Sequence, residues 1–299
     1  MTETRFTLLP VPGAAGPYGI TAGPDGALWA TLVHAGALLR LDPGGRSAVH
    51  PLGAPGSGPS VITAGPDGAL WFTRMRDDRI GRITPDGTLA DHALPPGSAP
   101  FGITAGSDGA LWFTASGTGG IGRITVDGQV SAFPLPVEGA FPAFITAGAD
   151  GALWFTLNQA DAVGRITCDG DVTLFPLPTP GAAPVGIAAG PDGALWFTEI
   201  GAGRIGRMLP DGTVTEFPLA DPGCRPHAVV AGPDGGCWYT EWGTGRLGRI
   251  TPDGRVTGHP LPADAAPGAP APEPHGLAFG PDGDLYIALE AGAVARFTP

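Results

Sequence analysis

Lysine is missing from this chain: its 16 basic residues are all arginine, set against 28 aspartates and glutamates. The formal charge of −12 offers no basic field to a phosphate backbone, which excludes nucleic-acid binding by charge. Cysteine is scarce, and Cys168, Cys224 and Cys237 form neither an even disulfide set nor a CxxC metal pair, as suits a reducing compartment. The opening MTETRFTLLP has no basic segment followed by an apolar one, and no apolar run approaches the length that crosses a bilayer. A cytoplasmic protein without a membrane partner is expected. GxSxG, P-loop and HExxH motifs are lacking too, and the glycines of Ser116-Gly117-Thr118-Gly119-Gly120 lie between strands rather than at the start of a helix. Nucleophilic serine and dinucleotide chemistries therefore have no support.

What the chain has in abundance is repetition. The phrase ITAGPDGALWFT and close variants occur seven times, anchored by Trp29, Trp71, Trp112, Trp154, Trp196, Trp238 and Tyr286 at steps of 41 or 42 residues and a last step of 48. That period predicts the blades of a β-propeller. In the fifth repeat, Gly186 to Ala189 begins an innermost strand, Ala194 to Thr198 forms the second, Arg204 to Leu209 the third and Thr213 to Pro218 the outer one. Pro-Asp-Gly turns separate them, proline presetting φ and glycine supplying the left-handed residue. The last repeat stops after its third strand, while Arg5 to Pro10 resembles an orphan outer strand. The N-terminal strand is thus expected to complete the seventh blade and remove the open edge. The expectation is all-β: one seven-bladed β-propeller domain over residues 1–299, four antiparallel strands per blade, monomeric because a closed ring has no unpaired edge.

Residues present in every blade read as scaffold: the turn aspartates (Asp25, Asp67, Asp108, Asp150, Asp192, Asp234, Asp282) as hairpin chemistry and the third-strand arginines as a structural contact. Function should lie where the repeat is broken. The position just before the innermost strand, at one mouth of the channel, is Tyr18, Ser60, Phe101, Ala143, Val185, His227 and His275 around the ring. Two neighbouring blades therefore offer imidazoles where the others offer apolar, aromatic or hydroxyl groups. A Pro/Ala-rich insertion, Ala263 to Pro272, delivers Glu273 two residues before His275, and an antiparallel hairpin returns Glu290 to the same end of the blade. Glu199 and Glu241 read as rim ion-pair partners. Two carboxylates beside an imidazole suit a hard ion such as Mg²⁺ together with a proton-transfer group, enough for a lyase or a hydrolase.

The residues that make this set specific are Arg225-Pro226-His227-Ala228, Trp238-Tyr239-Thr240-Glu241-Trp242-Gly243, Glu273-Pro274-His275-Gly276 and Glu290. With the seven repeats and the Ile-Gly-Arg-Ile third strands, the chain resembles the virginiamycin B lyase (streptogramin B lyase) family over essentially its whole length. The resemblance implies that His275 is the catalytic acid/base, that Glu273 and Glu290 hold Mg²⁺, and that His227 contacts substrate. It implies a small cyclic depsipeptide antibiotic as substrate, opened without water: the threonine α-proton is removed and the carboxylate leaves from the β-carbon, giving a linear peptide with a dehydrobutyrine end and hence resistance. Tyr18, Phe101, Val185 and Trp242 suit its aromatic bulk.

Two other readings stay open. A metal-dependent lactone hydrolase of the gluconolactonase type would want a richer Glu, Asn and Asp cluster, and Asn158 is the only asparagine. A non-catalytic interaction propeller would have no need of paired histidines and glutamates in blades six and seven.

Overall fold

The computed structural model describes residues 5–13, 16–262 and 272–299, so most of the Pro/Ala-rich insertion lies outside the described residues. Seven four-stranded antiparallel sheets form the blades of a propeller ring. In blade one the order from the channel outward is Pro17–Ala22, Leu28–Leu32, Ala37–Leu41 and Ser47–Pro51. Blade seven consists of Pro274–Phe279, Leu285–Leu289 and Ala293–Phe297, with Phe6–Pro10 as its outer strand. Phe6 pairs with Phe297 and Pro10 with Ala293, so the predicted closure by the N-terminal strand is the one observed. Among the described residues no helix is long and apolar enough to cross a membrane.

Each blade is held by a lock built on its turn aspartate. In blade three Trp112 Nε1 donates to Asp108 Oδ1 (3.1 Å) and Arg123 Nε donates to Asp108 Oδ2 (2.7 Å); blades one to six share the pattern. Burial opposes ionisation of these carboxyls, yet the hydrogen bonds from tryptophan and arginine outweigh it and hold them below the usual carboxylate range. The aspartates are therefore more than turn formers, because each ties hairpin, core tryptophan and third strand together. Blade seven varies the theme: Tyr286 donates to Asp282 and Arg296 to Asp284.

The glycine of the Ile-Gly-Arg-Ile strands has an equally local cause. Gly122 pairs with Phe113, and a Cβ there would lie 2.0 Å from the Phe113 ring. Glycine recurs opposite Phe72, Phe155, Phe197 and Tyr239. Blades one and seven, which carry Ala30 and Ile287 instead, have Leu39 and Ala295 facing them. The buried aromatic and the missing side chain are one packing decision.

The innermost strands start earlier than the sequence suggests. In blade five the strand runs from Pro184 to Ala189, Pro184 pairs with Glu199, and the register then shifts before Ile187. The mouth residues thus lie inside the strand, on a bulge, rather than ahead of it. A threonine that closes the repeated phrase serves this bulge. Thr198 Oγ1 accepts from Gly186 N (2.9 Å) and donates to His227 O of the next blade (2.9 Å). Thr31, Thr73, Thr114, Thr156 and Thr240 do the same, reaching Ser60, Phe101, Ala143, Val185 and His275. Blade seven has Ala288 at this position and lacks the bridge.

Thr156→Val should leave the Phe144 amide and the Val185 carbonyl without their partner and destabilise the fold by about 1–3 kcal/mol. A urea unfolding curve compared with wild type checks this, and an unchanged midpoint would show that the blades do not depend on the hydroxyl.

Candidate active site

The residue preceding each innermost strand has a left-handed backbone and stands before proline: Gly16, Gly58, Ala99, Phe141, Ala183, Arg225 and Glu273. Five of the seven are not glycine, and a pre-proline residue disfavours this conformation, so the chain holds strain at the mouth. At φ 43° Glu273 presents its carbonyl to the amide of Glu290 (3.1 Å). Gly16 with Val33, Gly58 with Met75 and Arg225 with Trp242 repeat this bond. The two glutamates that break the repeat therefore leave from hydrogen-bonded neighbours on one end of blade seven.

Six histidines divide cleanly by place. His50, His92 and His259 lie on outer strands with their rings against Trp29, Trp71 and Trp238 at centroid distances of 5.2, 5.6 and 6.1 Å. These are scaffold contacts. His34, His227 and His275 gather at the mouth. His227 and His275 meet edge to face at 4.7 Å, and both are 7% exposed. Tyr18 lies over His275 (4.3 Å between centroids) and its hydroxyl oxygen is 3.2 Å from His227 Nε2. Phe101 and Phe144 extend this aromatic floor.

Glu290 links two imidazoles. Its Oε2 lies 2.5 Å from His275 Nε2 and its Oε1 lies 2.8 Å from His34 Nε2. His34 sits in the hairpin after the second strand of blade one, so the carboxylate spans the junction between the last blade and the first. Gly276 lets these blades approach, since a Cβ there would lie 2.7 Å from Tyr18 O. A cavity of about 230 Å³ opens beside Glu290, lined also by Tyr18, His34, Ser60, Arg76 and Phe101.

Burial sets the protonation states. His227 is pushed down to about 3, chiefly by desolvation and then by His275, so it is neutral at physiological pH. Desolvation also lowers His275, with Glu290 acting in the opposite direction. Burial, and the nearby Glu290 charge, raise Tyr18 and keep its hydroxyl protonated. The Nδ1 atoms of His227 and His275 and the Trp242 indole nitrogen are buried without a partner among the described residues. Orphaned polar atoms gathered at a mouth mark a site held ready for something other than its own fold.

Of the residues singled out from the sequence, His275, His227 and Glu290 come together. Glu273 joins them through its backbone, and its carboxylate makes no hydrogen bond or ion pair with the described residues. Trp242 lies under the Arg225 guanidinium at 5.3 Å, and Val185 is buried. His34 and Phe144 were not legible, because His34 is only one hairpin residue among many and Phe144 stands one place beyond the mouth position. The rim ion-pair reading holds for Glu241, 3.8 Å from Arg246, and fails for Glu199. Glu199 is 0% exposed, neither of its oxygens has a hydrogen-bond partner among the described residues, and desolvation followed by repulsion from Glu216 pushes it up to about 8. Its neighbour Arg204 bonds Glu216 instead.

Among the described residues no group of three or more His, Cys, Asp or Glu gathers as a ligand cage. A hard ion that keeps most of its water needs only one or two carboxylates, and the donor chemistry of Glu273 and Glu290 fits such an ion.

Comparison with known proteins agrees with this arrangement. The model of the Virginiamycin B lyase family matches residues 4–297. Virginiamycin B lyase of Saccharopolyspora erythraea is 62% identical over 52 residues and that of Streptomyces coelicolor 65% over 40. These segments span 17% and 13% of the chain and the same shares of the relatives' lengths. A streptogramin B lyase structure superposes with a TM-score of 0.93 at 39% identity, covering 98% of this chain and 97% of that one. A catalytically inactive histidine-to-alanine variant of virginiamycin B lyase from Staphylococcus aureus, with quinupristin, gives 0.92 at 40% identity over 98% and 99%.

The Glu199 shift has a definite sign. Its folded-state value of about 8 exceeds the ordinary 4.5, so its stabilising contribution is complete below pH 4.5 and is lost as pH rises through 8. Glu199→Gln should therefore flatten the decline in stability between pH 5 and 8, read as urea midpoints; an unchanged slope would assign the decline to other groups.

Proposed function

The chain belongs to the virginiamycin B lyase family, and on that premise we propose that it linearises streptogramin B cyclic depsipeptides by elimination at the threonyl ester, giving antibiotic resistance. The observation that carries this reading is the pair of buried imidazoles meeting edge to face in adjacent blades, with a carboxylate on one of them. The binding of quinupristin by an inactivated relative of matching fold supports the substrate class.

In this reading His275 is the acid/base. A neutral ring takes the α-proton, the released electron pair forms the Cα–Cβ double bond, and the Cβ–O bond breaks to free the carboxylate. Glu290 stabilises the imidazolium that forms and, since His275 Nδ1 has no partner among the described residues, orients the ring through Nε2. His227, kept neutral by burial and steadied by Tyr18, contacts the substrate. Thr198 and Thr240 hold the backbones of both histidines through their carbonyls. The aromatic floor excludes water from one side, and the cavity takes part of the ring while the rest lies on the rim.

Glu273 and Glu290 would hold Mg²⁺, which supplies a Lewis acid that polarises a substrate carbonyl and stabilises developing negative charge. Proton transfer by a positioned side chain contributes roughly 10²–10⁴-fold, so His275→Ala should lose activity by a factor of that order. Liquid chromatography with mass detection, after incubation with a streptogramin B peptide and Mg²⁺, should show a shifted product of unchanged mass, absent with chelator. A product heavier by one water would make the protein a lactone hydrolase. No conversion by wild type would remove the activity altogether.

Because His275 is lowered, the acid limb of the kcat/KM profile should fall below the ordinary imidazole value of about 6.5. A limb at or above that value would assign the controlling group elsewhere.

A further inference from the structure

We infer that His34, from blade one, is a positioning residue that fixes the Glu290 carboxylate for divalent-cation binding; this rests on the metal assignment made for Glu290 above. Six blade junctions carry a threonine bridge, and the junction of blades seven and one has Ala288 in its place. At the mouth of this junction, beside the Tyr18–His275 ring contact, His34 Nε2 lies 2.8 Å from Glu290 Oε1. His34 is also the one mouth histidine with no ring-on-ring contact among the described residues, its ring lying instead against Gly16.

A carboxylate has about four lone-pair sites. His275 and His34 use one on each oxygen of Glu290, which leaves one on each oxygen for an ion and its waters. Two N–H donors from different blades hold the plane of the group, which otherwise rotates freely at the end of a long side chain. Hydrogen bonds to ligating carboxylates commonly contribute 10–100-fold to metal affinity. Since His34 is half exposed, the lower end of that range applies. Gly16 fits the same purpose, because a Cβ there would lie 2.3 Å from the His34 ring.

The test is titration of the full chain with Mn²⁺, following free ion by electron paramagnetic resonance, for wild type, His34→Ala, His34→Gln and Glu290→Gln. His34→Ala should bind about tenfold more weakly, and His34→Gln, which retains an N–H donor, should recover much of the loss. Spin-echo measurements on bound Mn²⁺ should show the same nitrogen coupling with and without His34. Equal or tighter binding by His34→Ala overturns the inference, as does failure of the glutamine to restore it. A nitrogen coupling lost in His34→Ala overturns it in favour of direct ligation. Glu290→Gln separates the two levels of argument: if it abolishes binding while His34→Ala does not weaken it, only the role of His34 falls. If it binds like wild type, the metal assignment falls and this inference with it.

Discussion

One hydroxyl in each of blades one to six makes the site possible. A bulge in each innermost strand leaves an amide and a carbonyl outside the ladder, and a threonine on the second strand takes the amide of its own blade and gives its proton to the mouth carbonyl of the next. Buried backbone groups left unpaired are costly, and in blades one to six the bulge and the threonine occur together, while blade seven keeps the bulge with Ala288. The consequence reaches the chemistry, because the carbonyls held in this way in blades six and seven belong to His227 and His275. Two imidazoles meet edge to face because two threonines fix the backbones that carry them.

The ring is otherwise an economy of repeated locks. Aspartate, tryptophan and arginine bind each hairpin to its core, and glycine recurs where an aromatic ring needs the space of a side chain. Blade seven departs from each of these rules in some measure, with tyrosine for tryptophan, Asp284 joining Asp282 as a partner of the arginine, and alanine for threonine. It is also the blade made from both ends of the chain. Its junction with blade one is where the scaffold gives up its standard bridge and where Glu290 reaches across to His34.

Much of the architecture was legible beforehand for a physical reason. A propeller blade is a local object whose strands pair with their sequence neighbours, so periodic aromatics and Pro-Asp-Gly turns report it directly. Closure by Arg5 to Pro10 was also legible, since the last repeat visibly lacked an outer strand. His227 and His275 stood out because they occupy equivalent positions in adjacent repeats. The bulge was not legible, because its partner hydroxyl lies twelve residues away in a phrase that reads as an ordinary strand. Glu199 was misjudged for a similar reason: a nearby arginine in sequence suggests an ion pair, but Arg204 turns to Glu216.

The sequence by itself determined the blade count, the strand order, the closing strand and the pair of mouth histidines, since each follows from short-range pattern and from breaks in that pattern. Tertiary structure decided which histidines pack on the scaffold and which gather at the mouth. His50, His92 and His259 stack on tryptophans, whereas His34 joins Glu290 from the opposite end of the chain, a contact between residues 256 positions apart that exists only because the ring closes. It also decided the protonation of the site. Burial lowers His227 and His275 and raises Tyr18, and burial is a property of the assembled ring rather than of any one repeat.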